Sequence, residues 1–228
     1  MTAWDQVIKR TAEHVRRTLE NDTTGHDWWH IDRVRRNALR IAAEEKADMV
    51  IVELAALLHD IADWKFHGGD DTAGPRAAHA WLSENNIDPA VVDAVCDIVA
   101  RVTFKGAGVS TEMPTIEGKC VQDGDRLDAI GAIGVARAFT YGGHMGRPMH
   151  DPSVPAELHS SFAAYKSKSG PTINHFYEKL LLLKDRMQTD SGRRIAHERH
   201  AFMENYLQQF LAEWNGADGP VVTQTPSA

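Results

Sequence analysis

A histidine–aspartate pair interrupts one of the most apolar stretches of this 228-residue chain. Residues 55–63 read A-A-L-L-H-D-I-A-D, in which His59 and Asp60 are adjacent and Asp63 follows three residues later. Burying either polar group of the pair without a partner costs a few kcal/mol. The pair must therefore be neutralised by other residues of the chain or by a metal ion.

Two other segments contain side chains of the same chemical types. In G-H-D-W-W-H, His26 and His30 are four residues apart, so they lie on one face of a helix. In Q-D-G-D-R-L-D, three aspartates (Asp123, Asp125 and Asp128) occur within six residues. Neutral imidazoles combined with carboxylates form a mixed nitrogen and oxygen site, which suits a divalent first-row transition metal.

The composition excludes several classes of protein. No apolar run approaches the roughly 20 residues that a membrane helix needs, and the N-terminus lacks the pattern of a signal peptide. The net charge of −7 argues against a protein that binds nucleic-acid polymers. The two cysteines, Cys96 and Cys120, are too few for a disulfide framework, so we expect a cytoplasmic location.

The elements that must position these residues are helices. Apolar residues recur at spacings of three and four along nearly the whole chain, and no convincing β-hairpin is present. Only the valine-rich segment 91–102 could compete as a strand, because β-branched residues favour strands. We predict helices over about 2–19, from 24 to beyond 41, over 48–64, from 75, over 88–102, 115–139, 172–188 and 191–214.

These helices are expected to form one all-α domain over residues 1–215, with its core motifs in 24–139. A long loop over 141–170 separates them from C-terminal helices in 172–214, and loops of this length often act as functional lids. Residues 216–228 are predicted to be disordered. Glycines in the 115–139 helix, Gly124 among them, indicate a close approach of another backbone or of a substrate.

The order H…HD…D resembles that of the HD-domain metal-dependent phosphohydrolases. The matching contexts are G-H-D-W-W-H-I-D-R-V, A-A-L-L-H-D-I-A-D-W-K-F and Q-D-G-D-R-L-D-A-I-G-A-I-G-V-A-R. The last of these, with Y-G-G-H-M-G-R-P-M-H-D-P and I-N-H-F-Y-E-K-L, is similar to a small bacterial subgroup with nucleotide pyrophosphohydrolase activity. The resemblance implies a single-domain helical bundle of the HD-domain type with additional C-terminal helices.

The resemblance also implies a ligand set and a proton carrier. His30, His59, Asp60 and Asp125 would bind one divalent metal, with Mn²⁺ favoured and Ni²⁺, Co²⁺, Fe²⁺, Zn²⁺ and Mg²⁺ not excluded. In some relatives an acid three residues after the HD aspartate handles the proton of the attacking water. That position is Asp63, which is a methylene shorter than the glutamate often found there.

The number of histidines between the HD pair and the final aspartate bears on how many metal ions the chain would bind. Binuclear phosphodiesterases of this superfamily use extra histidines between the HD pair and the final aspartate. Only His67 and His79 lie in that interval here. One tightly bound metal is therefore favoured, and a second ion brought by the substrate stays open.

Several candidates have a purely structural alternative. His26 is a catalytic candidate, but it could instead contact phosphate or lie on the surface at the start of its helix. Asp27 is expected to cap that helix. Asp63 could pair with Lys65 or an arginine instead of handling a proton. Asp128 is expected to form a salt bridge or to support a ligand.

A triphosphate requires several cationic groups, because each contributes a charge-assisted hydrogen bond. Lys119 and Arg126 are notable because they flank Asp125 on one predicted helix. Any one such group, taken alone, is more often a solvated surface charge. The candidates for substrate binding are Lys65, Lys119, Arg126, His175 and Lys184.

The predicted function is hydrolysis of a nucleoside triphosphate to monophosphate and pyrophosphate by metal-activated water. One alternative is a nucleoside monophosphate phosphatase. Another is a non-catalytic metal- and nucleotide-binding module that regulates partners through the 141–170 loop. The expected partner is a small nucleotide and not a nucleic-acid polymer or a membrane, and the aromatic-rich last helix is compatible with a homodimer.

Overall fold

The structure is a computed structural model that describes residues 2–20, 25–62, 70–103, 111–158 and 170–217. Over these ranges the chain is helical and contains no strand, which confirms the predicted all-α class. No helix in these ranges is both long enough and apolar enough to cross a bilayer. The α-helices are α1 (Ala3–Thr18), α2 (Trp28–Glu45), α3 (Met49–Leu58), α4 (Ala73–Glu84), α5 (Pro89–Arg101), α6 (Ile116–Asp128), α7 (Gly131–His144), α8 (Thr172–Glu178) and α9 (Asp190–Trp214).

Helix α3 lies at the centre of the bundle. Val52 and every residue from Leu54 to Leu58 are buried, so the helix is apolar on nearly all sides. Such a helix is stable only when other elements surround it. Helices α1, α2, α5 and α6 do so. The last residue of α3, Leu58, is buried in this core, and His59 follows it immediately.

Helix α2 packs more extensively against α6 than against any other helix. The carboxylate of Asp27 caps α2 by accepting a hydrogen bond from the backbone N–H of His30 at 2.9 Å, as the sequence predicts. On α6, a Cβ atom at Gly124 would lie only 2.9 Å from the backbone nitrogen of Ala38. The glycine therefore allows the two helix backbones to approach closely, which confirms one of the two predicted reasons for it.

The prediction of one continuous helix over 115–139 is wrong. Helix α6 ends at Asp128, and α7 begins at Gly131, whose φ of +72° is unfavourable for other residues. The side chain of Arg199 packs against this glycine, because a Cβ there would lie 3.0 Å from the arginine Cγ. Arg199 also donates to the carbonyl of Leu127 at 2.5 Å, which satisfies one of the last carbonyls of α6.

The third predicted helix ends earlier than expected. It was predicted over 48–64, but α3 ends at Leu58 and the following residues form turns. One physical reason is that His59 donates a side-chain hydrogen bond to the carbonyl of Ala56 at 2.8 Å. The HD pair therefore lies in a turn after the helix and not within it.

The helix predicted over 172–188 also ends early. Helix α8 stops at Glu178, and two 3₁₀ turns follow at Leu180–Leu182 and Lys184–Arg186. A 3₁₀ turn has about three residues per turn, so Leu180 and Leu183 face the same side and both are buried. The predicted recurrence of apolar residues is thus kept in this segment, although the helix type differs from the predicted one.

Three other boundaries can be compared with the sequence. The valine-rich segment is helical in α5, and α9 agrees closely with the predicted 191–214 helix. The long loop was predicted from residue 141, but α7 continues to His144, and 145–158 then contain turns. Most of the predicted tail lies outside the described residues.

Candidate metal centre

Four side chains from three separate parts of the chain converge between α2, the end of α3 and α6. The Oδ2 atom of Asp60 lies 3.4 Å from Nε2 of His30 and 3.6 Å from Nε2 of His59. The Oδ1 atom of Asp125 lies 3.7 Å and 3.9 Å from the same two nitrogens. Two imidazole nitrogens and two carboxylates therefore surround one small volume.

Both imidazoles direct a nitrogen lone pair toward this volume. The Nδ1–H of His30 donates to Asp128 at 2.7 Å, and the Nδ1–H of His59 donates to the carbonyl of Ala56. A neutral imidazole has one proton, so Nε2 of each ring is an acceptor. Both Nε2 atoms are buried, and neither has a hydrogen-bond partner among the described residues. A metal ion would satisfy both lone pairs.

The donor set fits a divalent first-row metal, because it combines imidazole nitrogen with carboxylate oxygen. Within the described ranges, two overlapping groups could hold an ion, and His30 belongs to both. One group adds His59 and Asp125, and the other adds His26 and Asp60. The fold therefore brings together the residues that the sequence predicts as ligands, and their assignment to the metal stays a prediction.

The fifth group at this site is His26, which lies beside Asp60 and is only partly exposed. Its Nδ1 atom is 2.7 Å from Oδ2 of Asp60. Burial by itself raises the pKa of Asp60, but His59 and His26 act against it and hold that pKa well below its ordinary value. The carboxylate is thus ionised and accepts the Nδ1–H of His26.

A buried carboxylate behind His30 orients the ring. Asp128 accepts from Nε and Nη2 of Arg33 at 2.6 Å and 3.0 Å, and Nη1 of Arg137 lies 3.2 Å from its Oδ2. Burial raises the pKa of Asp128, but hydrogen bonds from His30 and Arg33 and the charge of Arg137 hold it far below its usual range. Asp128 thus stays ionised, and its ion pairs with Arg33 and Arg137 confirm the predicted salt bridge.

The pKa of His30 reflects opposing influences. Burial and the charge of Arg137 lower it, whereas the hydrogen bond to Asp128 and the nearby charge of Asp60 raise it, and the net pKa is above the ordinary value. A metal requires the unprotonated Nε2, so metal binding here competes with a proton.

Two arginines at the site were missed by the sequence analysis. Arg33 follows His30 by three residues, so its place on the same helical face was a usable signal. Arg137 gave no such signal, because Gly25 is distant in the sequence and Asp128 lies on the other side of the break between α6 and α7.

Of the other predicted site residues, two lie outside the described residues and one is buried on α6. Asp63 and Lys65 lie outside the described residues. Arg126 is buried on α6, where its guanidinium donates to the hydroxyl of Thr111 at 2.7 Å and to the carbonyl of Arg186. Burial lowers the pKa of Arg126 to about 10. These contacts join α6 to its flanking segments, and substrate binding by Arg126 stays a prediction.

The remaining cationic candidates lie on three different elements. Lys119 is on α6, His175 is on α8 and Lys184 is in the second 3₁₀ turn. All three are half-buried. Their assignment to substrate binding stays a prediction.

The sequence model of the HD domain matches residues 28–130, a range that contains all four predicted ligands. YpgQ of Bacillus subtilis is 39% identical over 207 residues, which cover 90% of this chain and 92% of YpgQ. The chain belongs to the HD-domain family. It has the fold of an HD-superfamily hydrolase, and its histidine–aspartate cluster can hold the divalent metal of such domains.

Solved structures agree with this HD-domain assignment. An HD-superfamily hydrolase from Bacillus thuringiensis is 40% identical with a TM-score of 0.72, covering 93% of this chain and 99% of that one. A Lactobacillus plantarum protein is 34% identical with a TM-score of 0.83, covering 95% and 100%. YpgQ in complex with ADP is 36% identical with a TM-score of 0.70, covering 91% and 100%.

Proposed function

We propose that this HD-domain protein hydrolyses nucleoside triphosphates to monophosphate and pyrophosphate. The observation that carries the proposal is the pair of buried Nε2 atoms of His30 and His59, which face two carboxylates and have no hydrogen-bond partner among the described residues. A nucleotide substrate is supported by YpgQ, whose crystal structure contains ADP.

The residues around the centre suggest how the reaction proceeds. A divalent metal held by the four ligands would polarise a phosphoryl oxygen and make water a stronger acid. His26 donates Nδ1–H to Asp60, so its lone pair is on Nε2, where it can accept a proton. We assign the proton of the attacking water to His26 together with Asp63. The water oxygen bonds to the α-phosphorus, and pyrophosphate leaves.

The test uses the full chain loaded with Mn²⁺ and a panel of nucleoside triphosphates and monophosphates in water enriched in ¹⁸O. Phosphate and pyrophosphate are separated by ion chromatography. We expect monophosphate and pyrophosphate in equal amounts, with ¹⁸O in the monophosphate only. Phosphate released from monophosphates would instead indicate a phosphatase, and binding without turnover would indicate a regulatory module.

A variant pair tests whether turnover depends on the centre. Asp60→Asn removes a predicted ligand, and Asp97→Asn alters an exposed carboxylate on α5 that pairs with Arg101. We expect Asp60→Asn to lower kcat/KM by more than about 100-fold and Asp97→Asn to leave it unchanged. Pyrophosphate release that survives Asp60→Asn would contradict the proposed site.

A further inference from the structure

The guanidinium of Arg137 contacts two groups that are linked to different histidines of the metal centre. Arg137 on α7 donates from Nε and Nη2 to the carbonyl of Gly25, at 3.2 Å and 2.9 Å. Its Nη1 lies 3.2 Å from Oδ2 of Asp128, the carboxylate that accepts from His30. Gly25 immediately precedes His26, so Arg137 lies behind both histidines.

Asp128 does not need Arg137 in order to have a cationic partner. Arg33 already makes two hydrogen bonds to that carboxylate, both shorter than the Arg137 contact. Two of the described hydrogen bonds of Arg137 go instead to Gly25, an uncharged carbonyl. A guanidinium presents several donors in a rigid plane, which suits it to hold two fixed acceptors at once.

The residue before His26 is a glycine, whose many accessible backbone conformations do not by themselves fix the position of the next ring. Gly25 has a φ of +88°, in the left-handed region, and it lies outside α2. Its carbonyl is held by Arg137, while the ring of the next residue contacts Asp60 at 2.7 Å. A shift of this turn would move the His26 ring away from Asp60.

We propose that Arg137 is a positioning residue that holds His26 against Asp60 and, through Asp128, holds His30 toward the metal centre. The expected effect on turnover rests on the proposed function, whereas the positioning of His26 and His30 does not. Within the described part of the chain, Arg33 contacts Asp128 and not Gly25, so it serves as the matched comparison.

The first test measures the hydrogen bond itself. The full chain is labelled with ¹⁵N-histidine and loaded with diamagnetic Zn²⁺, and the His26 ring signals are assigned by their loss in His26→Gln. Arg137→Lys keeps the charge near Asp128 but removes the planar pair of donors to Gly25, and Arg33→Lys is the control. We expect the Nδ1–H of His26 to exchange with solvent at least about tenfold faster in Arg137→Lys, and within about twofold of the parent in Arg33→Lys.

Three results would overturn the inference. One is an unchanged exchange rate in Arg137→Lys. Another is an equal acceleration in both lysine variants, which would show that Asp128 alone transmits the effect. The third is a parent protein without a protected His26 Nδ1–H. Lysine is used because it keeps a positive charge beside the buried Asp128. Thermal denaturation checks that each variant is folded.

The second test measures kcat at saturating metal and nucleotide. If Arg137 acts through His26, then His26→Ala and Arg137→Lys each lower kcat, and the double variant falls no further than His26→Ala. Losses that multiply would contradict the proposed role of Arg137 in holding His26. If the parent protein shows no turnover, the proposed function fails while the exchange measurement still decides the role of Arg137.

Discussion

The centre depends on one buried carboxylate that does not belong to the predicted ligand set. Asp128 is almost fully buried and is surrounded by His30, Arg33 and Arg137. Buried charges of this kind are tolerated because they are paired, and removing one partner leaves the others uncompensated. The same carboxylate sets the tautomer of His30, so its effects on stability and on metal binding are coupled.

We predict that Asp128→Asn weakens metal binding by about 10–100-fold. The amide lacks the charge that pairs with Arg33 and Arg137, and its NH₂ group can face His30 and disturb the tautomer that directs Nε2 to the centre. Competition with a chromophoric chelator measures the Kd of the metal. The Asp97→Asn variant is the control, and a Kd unchanged in Asp128→Asn would refute this role.

The pairing of α2 with α6 sets the separation between His30 and Asp125. The two helices approach closely at Gly124, because a Cβ there would lie 2.9 Å from the backbone nitrogen of Ala38 and 3.0 Å from its Cβ. Backbone atoms cannot rotate aside as a flexible side chain can. A larger residue must therefore push the helices apart.

We predict that Gly124→Ala lowers the free energy of unfolding by about 1–3 kcal/mol and also weakens metal binding. Gly143→Ala is the control, because Gly143 is exposed on α7 and a Cβ there meets no atom of the described residues within 4 Å. The control is expected to be neutral or slightly stabilising, since alanine favours helices by up to about 1 kcal/mol. Urea denaturation with and without Mn²⁺ measures both effects. Equal stability of the two variants would contradict the packing argument.

In the molecule as a whole, the ligand cluster joins segments that are distant in sequence. His30 lies on α2, His59 and Asp60 follow the central α3, and Asp125 lies on α6. A metal bound by all of them binds the folded chain and not the unfolded one. It must therefore stabilise the fold, by an amount that grows with the logarithm of the metal concentration once that concentration exceeds the Kd.

We predict that Mn²⁺ at about 100 times its Kd adds about 2.7 kcal/mol to the free energy of unfolding. At roughly 2–4 °C per kcal/mol, this raises Tm by about 5–11 °C. Calorimetry with stepwise Mn²⁺ and then with EDTA measures the shift, which should be lost in Asp60→Asn and retained in Asp97→Asn. An equal shift in Asp60→Asn would show that the ion binds elsewhere.

Features that depend on residues close together in the sequence were predicted correctly. The cap at Asp27, the recurrence of apolar residues and the helical class all depend on residues within one or two turns of each other. The ends of helices were less predictable. The stop at Leu58 involves the His59 side chain, and the break at Gly131 is packed by Arg199 from another helix.

The sequence by itself determined which chemical groups are present, that His30 and Asp125 lie on helices, and that His30, His59, Asp60 and Asp125 follow the order of an HD-domain hydrolase. Only the tertiary structure decided that Asp128 orients His30 and that Arg137 reaches Gly25. The reason is physical: helix periodicity and caps arise from local backbone geometry. The direction of a buried imidazole or guanidinium instead depends on which distant helix supplies its acceptor.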